Sequence, residues 1–238
     1  MNSSCPDTDY SAVYARRTQP TLVDYPGKMA ALFFTRGCNF RCGYCHNPDL
    51  LENCGGITYT WEQLEAFCHD FRRNWVEAVT ITGGEPTLQP QLGATMRFFR
   101  DHGFAVKLDS NGSRPEVLEE VLPWTDYVAM DIKCSLEKYP EFVGFRQTDN
   151  ITRSIEIIKT KARDYEFRLT LVEDFHCEQE ILACAKLVAG AKLLIFQPFL
   201  PHENLPEERY RTLPRTRPSA LADAVRLAAP FVQQCIAR

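Results

Sequence analysis

Six short apolar runs, each followed after a loop by a segment of helical spacing, set the limits on what this chain can fold into. The runs cover residues 30–35, 78–82, 105–109, 127–131, 167–172 and 193–197. Runs of this length, rich in Val, Ile, Leu and Phe, read as buried parallel strands. The gaps carry helix signals. Thr60 followed by Gln63 is a capping box, and Trp61, Leu64, Phe67, Cys68, Phe71 and Trp75 then form one apolar stripe. Ser113 followed by Glu116 reads as a second box, opening a helix that runs through Leu122. Helical spacing recurs near 150–161 and 178–189. Ser219 reads as the cap of a last helix, running to about Phe231 within a C-terminal segment of about 219–234. Gly103 and Gly190 stand where a helix should end and a strand begin. Repeated strand–helix units imply parallel strands with right-handed crossovers. Six such units make an α/β fold, either a partial (β/α)6 TIM-like barrel or a doubly wound sheet. Both place ligands at the carboxyl ends of the strands. The stretch before residue 30 and the stretch from 198 to 218 lack periodicity and read as loops packed over the barrel ends. No domain boundary is drawn, so residues 1–238 read as a single domain with a core of about 21–200.

Composition narrows the class. The 27 Lys and Arg against 31 Asp and Glu give a net charge of -4, which excludes a globally basic nucleic-acid binder. Mean hydropathy is -0.29, and no apolar run approaches the ~18 residues of a membrane helix. The first thirty residues show no apolar signal core, so a cytoplasmic location is expected. Ten cysteines are then the anomaly. In such a chain, cysteine spacing points to metal or catalysis before disulfides.

Directly after the first strand comes Arg36-Gly37-Cys38-Asn39-Phe40-Arg41-Cys42-Gly43-Tyr44-Cys45-His46-Asn47-Pro48. Cys38, Cys42 and Cys45 lie within eight residues and can wrap one compact centre. A [4Fe–4S] cluster normally takes four thiolates, so three leave one iron open to a substrate or cofactor. Zinc held by these three and His46 is the competing reading, but adjacent Cys45 and His46 rarely both point at one tetrahedral ion. Cys68 and Cys184 sit in helical segments and read as small core hydrophobes. Cys5, Cys54, Cys134, Cys177 and Cys235 form no tight pair, although Cys54 is only nine residues beyond Cys45. After the second strand comes Gly83-Gly84-Glu85-Pro86. Two glycines let backbone approach a ligand, and Glu85 can accept from an amino group. Alone, this loop is also consistent with an ordinary strand–turn–helix junction.

Together the two motifs resemble the radical S-adenosylmethionine (SAM) superfamily. Val23-Asp24-Tyr25-Pro26-Gly27, Cys45-His46-Asn47-Pro48, Leu108-Asp109-Ser110-Asn111-Gly112 and Met130-Asp131-Ile132-Lys133 make the chain similar to the glycyl-radical-enzyme activases. Among these it most resembles the short form of the anaerobic ribonucleoside-triphosphate reductase activating proteins. The resemblance implies a radical SAM core in which Cys38, Cys42 and Cys45 hold a [4Fe–4S] cluster whose open iron SAM chelates. It places Tyr44 near the adenine, Gly83, Gly84 and Glu85 at the methionine amino group, and Lys133 at the SAM carboxylate. Asp109, Ser110 and Asp131 resemble the oxygen ligands of a monovalent cation. Arg168 resembles a residue that reaches the ribose, and a strand-end salt bridge accounts for it equally. The implied chemistry is reductive cleavage of SAM and hydrogen abstraction from a glycine of a partner enzyme, with a flavodoxin- or ferredoxin-like electron donor. No nucleic acid or membrane is implied. A pyruvate formate-lyase-type activase and a small-molecule enzyme such as a carboxy-deazaguanine synthase are the alternatives. Arg209, Arg211, Arg215 and Arg217 form a basic stretch that reads either as a solvated loop among Glu203, Glu207 and Glu208 or as a dock for a partner.

Overall fold

The structure is a computed structural model that describes residues 9–17, 19–52 and 57–238; Cys5 and Cys54 lie outside the described residues. Its strands are β1 (Ala15–Arg16), β2 (Ala30–Thr35), β3 (Ala78–Gly83), β4 (Ala105–Ser110), β5 (Tyr127–Asp131), β6 (Tyr165–Leu171), β7 (Leu194–Pro198) and β8 (Cys235–Ala237). Its helices are α1 (Trp61–Arg73), α2 (Leu92–Asp101), α3 (Pro115–Val121), α4 (Tyr139–Phe142), α5 (Thr148–Lys161), α6 (Glu178–Leu187), α7 (Glu208–Thr212) and α8 (Pro218–Ala228). All six strands read from the sequence are present as β2 to β7. They join one eight-stranded sheet whose order follows the chain. A doubly wound sheet reverses its strand order at a switch point, so this order selects the partial barrel. β1 pairs antiparallel with β2, and β2 to β8 run parallel. β1 and β8 are the two edges, so the barrel stays open.

Strand alternation divides the sheet into two chemically distinct faces. Phe33, Ile81, Leu108, Met130 and Phe167 face the helices and are fully buried with Leu64, Phe99 and Ile155. Each such side chain contributes roughly 1.5–3 kcal/mol of burial. The opposite face turns polar toward the strand ends, with Lys107, Asp109, Asp131 and Arg168. At the other end of the barrel, small alanines (Ala30, Ala78, Ala105) leave room for Tyr25, whose ring lies 5.9 Å from that of Tyr127. The 23–27 motif therefore plugs the end remote from the cysteines, and Thr80 secures it by donating to the Asp24 carbonyl at 3.2 Å.

The Thr60–Gln63 capping box is formed in both directions. The second box is not. Ser113 lies two residues before α3, Arg114 is the cap, and Pro115 starts the helix. Pro218 likewise opens α8, which makes Ser219 an interior residue, and a 3-10 turn carries the helix on to Phe231 as expected, before the β8 segment. In both helices a proline at the first position, whose missing N–H needs no partner, displaces the hydroxyl signal. Trp75 does not extend the α1 stripe: it lies past the helix end at φ 59° and is 85% exposed. The stretch before residue 30 is not all loop, because it contributes β1, and the stretch from 198 to 218 contains α7. Cys68 and Cys184 are buried as expected, and Gly103 and Gly190 have positive φ. Among the described residues, no helix is long and apolar enough to cross a membrane.

Candidate functional site

The three cysteines sit on the loop that leaves β2, and neighbouring backbone pins that loop at several points. Gly37 N–H donates to Leu50 O at 2.8 Å, Arg41 N–H to Val143 O at 2.8 Å, and Glu207 N–H to Gly43 O at 3.1 Å. Loops after β2, β5 and β7 thus hold one another at the carboxyl end of the sheet. Cys38, Cys42 and Cys45 line one open cavity of about 200 Å³ together with Tyr44, Gly83–Glu85, Asp109–Asn111, Asp131, Lys133 and Arg168. Every predicted site residue is therefore brought to one place. The thiols are unpaired. Burial pushes Cys38 up to about 11 and Cys42 up to about 12, and raises Cys45. Without a positive centre to bind, these groups stay neutral. Among the described residues no group of three His, Cys, Asp or Glu side chains is placed to hold a single metal ion.

The glycines of the 83–85 loop prove to be packing residues first. A Cβ on Gly84 would stand 2.1 Å from the Gly37 carbonyl oxygen, and one on Gly83 2.4 Å from that of Thr35. Gly84 N–H donates to Thr35 O at 3.0 Å and Glu85 N–H to Gly37 O at 2.7 Å. The loop is stitched to the cysteine loop backbone to backbone. Glu85 is fully buried. Its Oε1 accepts from Thr87 N–H at 3.1 Å, Thr87 Oγ1 at 2.5 Å and Ser110 Oγ at 2.8 Å, and its Oε2 accepts from Asn111 N–H at 2.6 Å. Oε2 keeps a lone pair for a further donor. Burial raises the Glu85 carboxyl, and the hydrogen bonds from Thr87, Asn111 and Ser110 only partly offset it.

The strand ends opposite carry paired charges. Arg168 bridges Asp131 at 2.8 Å and Asp109 at 3.3 Å, Lys133 pairs with Asp131 at 3.0 Å, and Lys107 with Asp109 at 2.5 Å. Burial works against ionised Asp131, yet Arg168 and Lys133 outweigh it and hold the carboxyl well below its usual range. Asp109 is lowered in the same way, by Arg168 and Lys107. The salt-bridge reading of Arg168 is thus realised, while its guanidinium still lines the cavity. The cation site expected among Asp109, Ser110 and Asp131 does not fit this arrangement. Both carboxylates already hold cationic partners, and the Ser110 hydroxyl donates to Glu85.

Four contributors escaped the sequence reading. Lys107 sits on β4 facing inward. Asn111 Nδ2 donates to Asn39 Oδ1 at 3.0 Å and approaches Cys38 Sγ at 3.8 Å, while its Oδ1 accepts from Ser113 N–H. An Asn before a glycine is a turn signal, and that was the clue to it. His176, buried and with its pKa lowered by burial, accepts from Val172 N–H through Nδ1 and donates Nε2–H to the Lys133 carbonyl at 2.9 Å. The Tyr139 hydroxyl accepts from Lys133 N–H at 3.2 Å, so the lysine backbone is fixed on both sides. Tyr44 rests against Phe142 and Tyr210 at 5.3 and 5.6 Å, and its buried hydroxyl has no hydrogen-bond partner among the described residues. The basic stretch is partly neutralised: Arg217 pairs with Glu173 at 2.6 Å and Arg209 with Glu207 at 2.8 Å, and Arg211 donates to the Leu205 carbonyl.

The sequence profile described as the radical SAM superfamily matches residues 32–175. A Methanocaldococcus jannaschii protein provisionally named as a glycyl-radical enzyme activating enzyme is 35% identical over 227 residues, covering 92% of this chain and 92% of its own length. The pyruvate formate-lyase-activating enzyme of Clostridium pasteurianum is 29% identical over 204 residues, 81% of this chain and 82% of its own. Among solved structures, Streptococcus suis SuiB bound to precursor peptide SuiA superposes with a TM-score of 0.67 at 12% identity, covering 90% of this chain and 49% of that one. At that identity the likeness speaks for the fold alone.

Proposed function

The chain belongs to the radical SAM superfamily, among the glycyl-radical enzyme activating enzymes, and from that premise we propose that its partner is an anaerobic ribonucleoside-triphosphate reductase. The family uses a [4Fe–4S] cluster and SAM. In this reading Cys38, Cys42 and Cys45 hold the cluster. Bound there, cluster and SAM supply a primary carbon radical strong enough to take hydrogen from a glycine Cα. The chain's own residues bind and orient. Lys133, its backbone held by Tyr139 and His176, offers an ammonium to the SAM carboxylate. The free lone pair of Glu85 Oε2 and the Gly83–Gly84 backbone receive the amino group. Such a cationic neighbour favours the ionised carboxylate that burial opposes. Arg168, its position fixed by Asp109 and Asp131, would meet the ribose, and Tyr44 would meet the adenine.

The observation that carries the activase reading is the placement of His46 and Asn47. The residues that follow the third cysteine in the activase pattern stand in the cavity wall itself. The open barrel supports it as well, since a glycine loop of another protein needs access to the strand ends. The reductase as partner rests on the sequence pattern, and a flavodoxin- or ferredoxin-like donor would supply the electron. The test mixes anaerobically reconstituted protein, SAM, a reductant and the reductase of the same source. Electron paramagnetic resonance should show a glycyl doublet on the reductase. A doublet on pyruvate formate-lyase alone would keep the chemistry and change the partner. Turnover of a small molecule with no glycyl radical would reject the activase reading.

A further inference from the structure

All four carboxylate oxygens at the strand ends already face a cation of the chain. Asp109 Oδ1 has Lys107 Nζ at 2.5 Å and Oδ2 has Arg168 Nη1 at 3.3 Å; Asp131 Oδ1 has Arg168 Nε at 2.8 Å and Oδ2 has Lys133 Nζ at 3.0 Å. Lys133 and Arg168 are assigned above to SAM. Lys107 is not: it is 3% exposed, outside the cavity lining, and among the charged groups of the described residues its ammonium touches only Asp109. The remaining buried carboxylates among the described residues are engaged elsewhere, Glu166 by Tyr127 and Arg238, Glu180 by Ser135 and Lys138, and Glu85 by Thr87, Ser110 and Asn111. The Ser110 oxygen, the third ligand of the expected cation site, takes Gly112 N–H at 3.1 Å while donating to Glu85.

We propose that Lys107 is a built-in counter-cation: its ammonium holds the place at Asp109 that a monovalent metal ion would hold, so SAM binds this enzyme without one. A lysine ammonium is a compact point charge with three donors. Delivered by the strand itself, it arrives already desolvated and oriented. A free ion would have to shed its water and enter beside three fixed positive charges, which repel it. Lys107 thus acts as a positioning residue. It holds Asp109, and through the shared Arg168 also Asp131, in the ionised form that orients Lys133 and Arg168.

The proposal rests on the cavity being the SAM site, and the test separates the two. SAM binding to the reconstituted holoenzyme is measured by calorimetry in potassium chloride and in choline chloride at equal ionic strength. The wild type should bind equally in both, within about twofold. Lys107→Ala should bind about tenfold more weakly in choline and recover in potassium. On the apoprotein, Lys107→Ala should also gain thermal stability from potassium over choline and bind thallium(I) by 205Tl resonance, whereas the wild type should do neither. Lys107→Gln serves if the alanine variant does not fold. A wild-type affinity that rises about tenfold or more in potassium overturns the proposal, as does a variant that no monovalent cation restores. Wild-type protein that binds no SAM in either salt fails the site assignment itself.

Discussion

Glu85 shows how much one side chain can do besides meeting a ligand. Its carboxylate takes four donors from Thr87, Ser110 and Asn111 and so ties the ends of β3 and β4 together beneath the cysteine loop. Removing it strands those donors in a fully buried place, at about 1–3 kcal/mol each where no water replaces the oxygen. Glu85→Ala should therefore lower the melting temperature of the apoprotein as well as SAM affinity. Glu85→Gln is the sharper probe, because it retains one acceptor oxygen but turns an NH2 toward either Asn111 N–H or the Ser110 and Thr87 donors. We expect weaker SAM binding by about tenfold and a smaller loss of stability than in Glu85→Ala. Equal stability of both variants and wild type, measured by urea titration, would contradict the tie. This residue was legible in the sequence as a polar group beside two glycines. Its partners were not, because Ser110 and Asn111 are 25 and 26 residues away, and only the parallel pairing of β3 with β4 brings them to it. Lys107 escaped for a different reason: a charged residue in a short apolar run reads as a strand irregularity, although its partner Asp109 is two residues along the same strand and on the same face.

At the scale of elements, what was legible followed from length. The six runs that became β2 to β7 are long enough to show apolar character on their own, whereas β1 and β8 hold two and three residues, too few to form a pattern. They exist because β2 and β7 leave edges to be covered. The failed caps at Ser113 and Ser219 share one cause, a proline at the first helical position, which starts α3 later than Ser113 implies and α8 earlier than Ser219 implies. The 83–85 loop was read as a ligand contact, but its glycines also answer to the neighbouring element. Because a Gly84 Cβ would meet backbone atoms of Gly37 at 2.1 Å, with no flexible side chain to yield, Gly84→Ala must push the β3 end away from the cysteine loop. The expected outcome is a folded sheet by circular dichroism with poor cluster retention. Iron should fall well below the roughly four atoms per chain that the wild type should hold after anaerobic reconstitution. Full iron content in this variant would show that the two loops can separate without consequence.

The whole molecule is a barrel plugged at one end and open at the other. Tyr25, Tyr127 and three alanines close the lower end, and edges β1 and β8 leave the sheet unclosed. At the upper end the loops after β2, β5 and β7 are tied to one another around the cysteines: Glu207 holds Gly43, and Tyr210 packs on Tyr44. A small-molecule enzyme gains by sealing its cavity once the ligand is in, since exclusion of water protects a reactive species. This chain has an open cavity, and the expected partner loop is the missing wall. A radical of this strength reacts with whatever it meets, so the arrangement works only if SAM is consumed after the loop has docked. The consequence is measurable as coupling. SAM consumption by the reduced protein alone should be slow and should accelerate about tenfold or more when the glycyl radical enzyme or its glycine-loop peptide is added, a change of about 1.4 kcal/mol or more in the barrier. The glycine loop with its glycine replaced by alanine should dock but yield less radical for each methionine released, because the geometry that presents a glycine Cα is lost. Chromatography of methionine against spin-counted radical gives the ratio. Rapid SAM consumption without any partner, unchanged when the partner is added, would mean that the chain completes its own cavity and that the open end is not where the substrate enters.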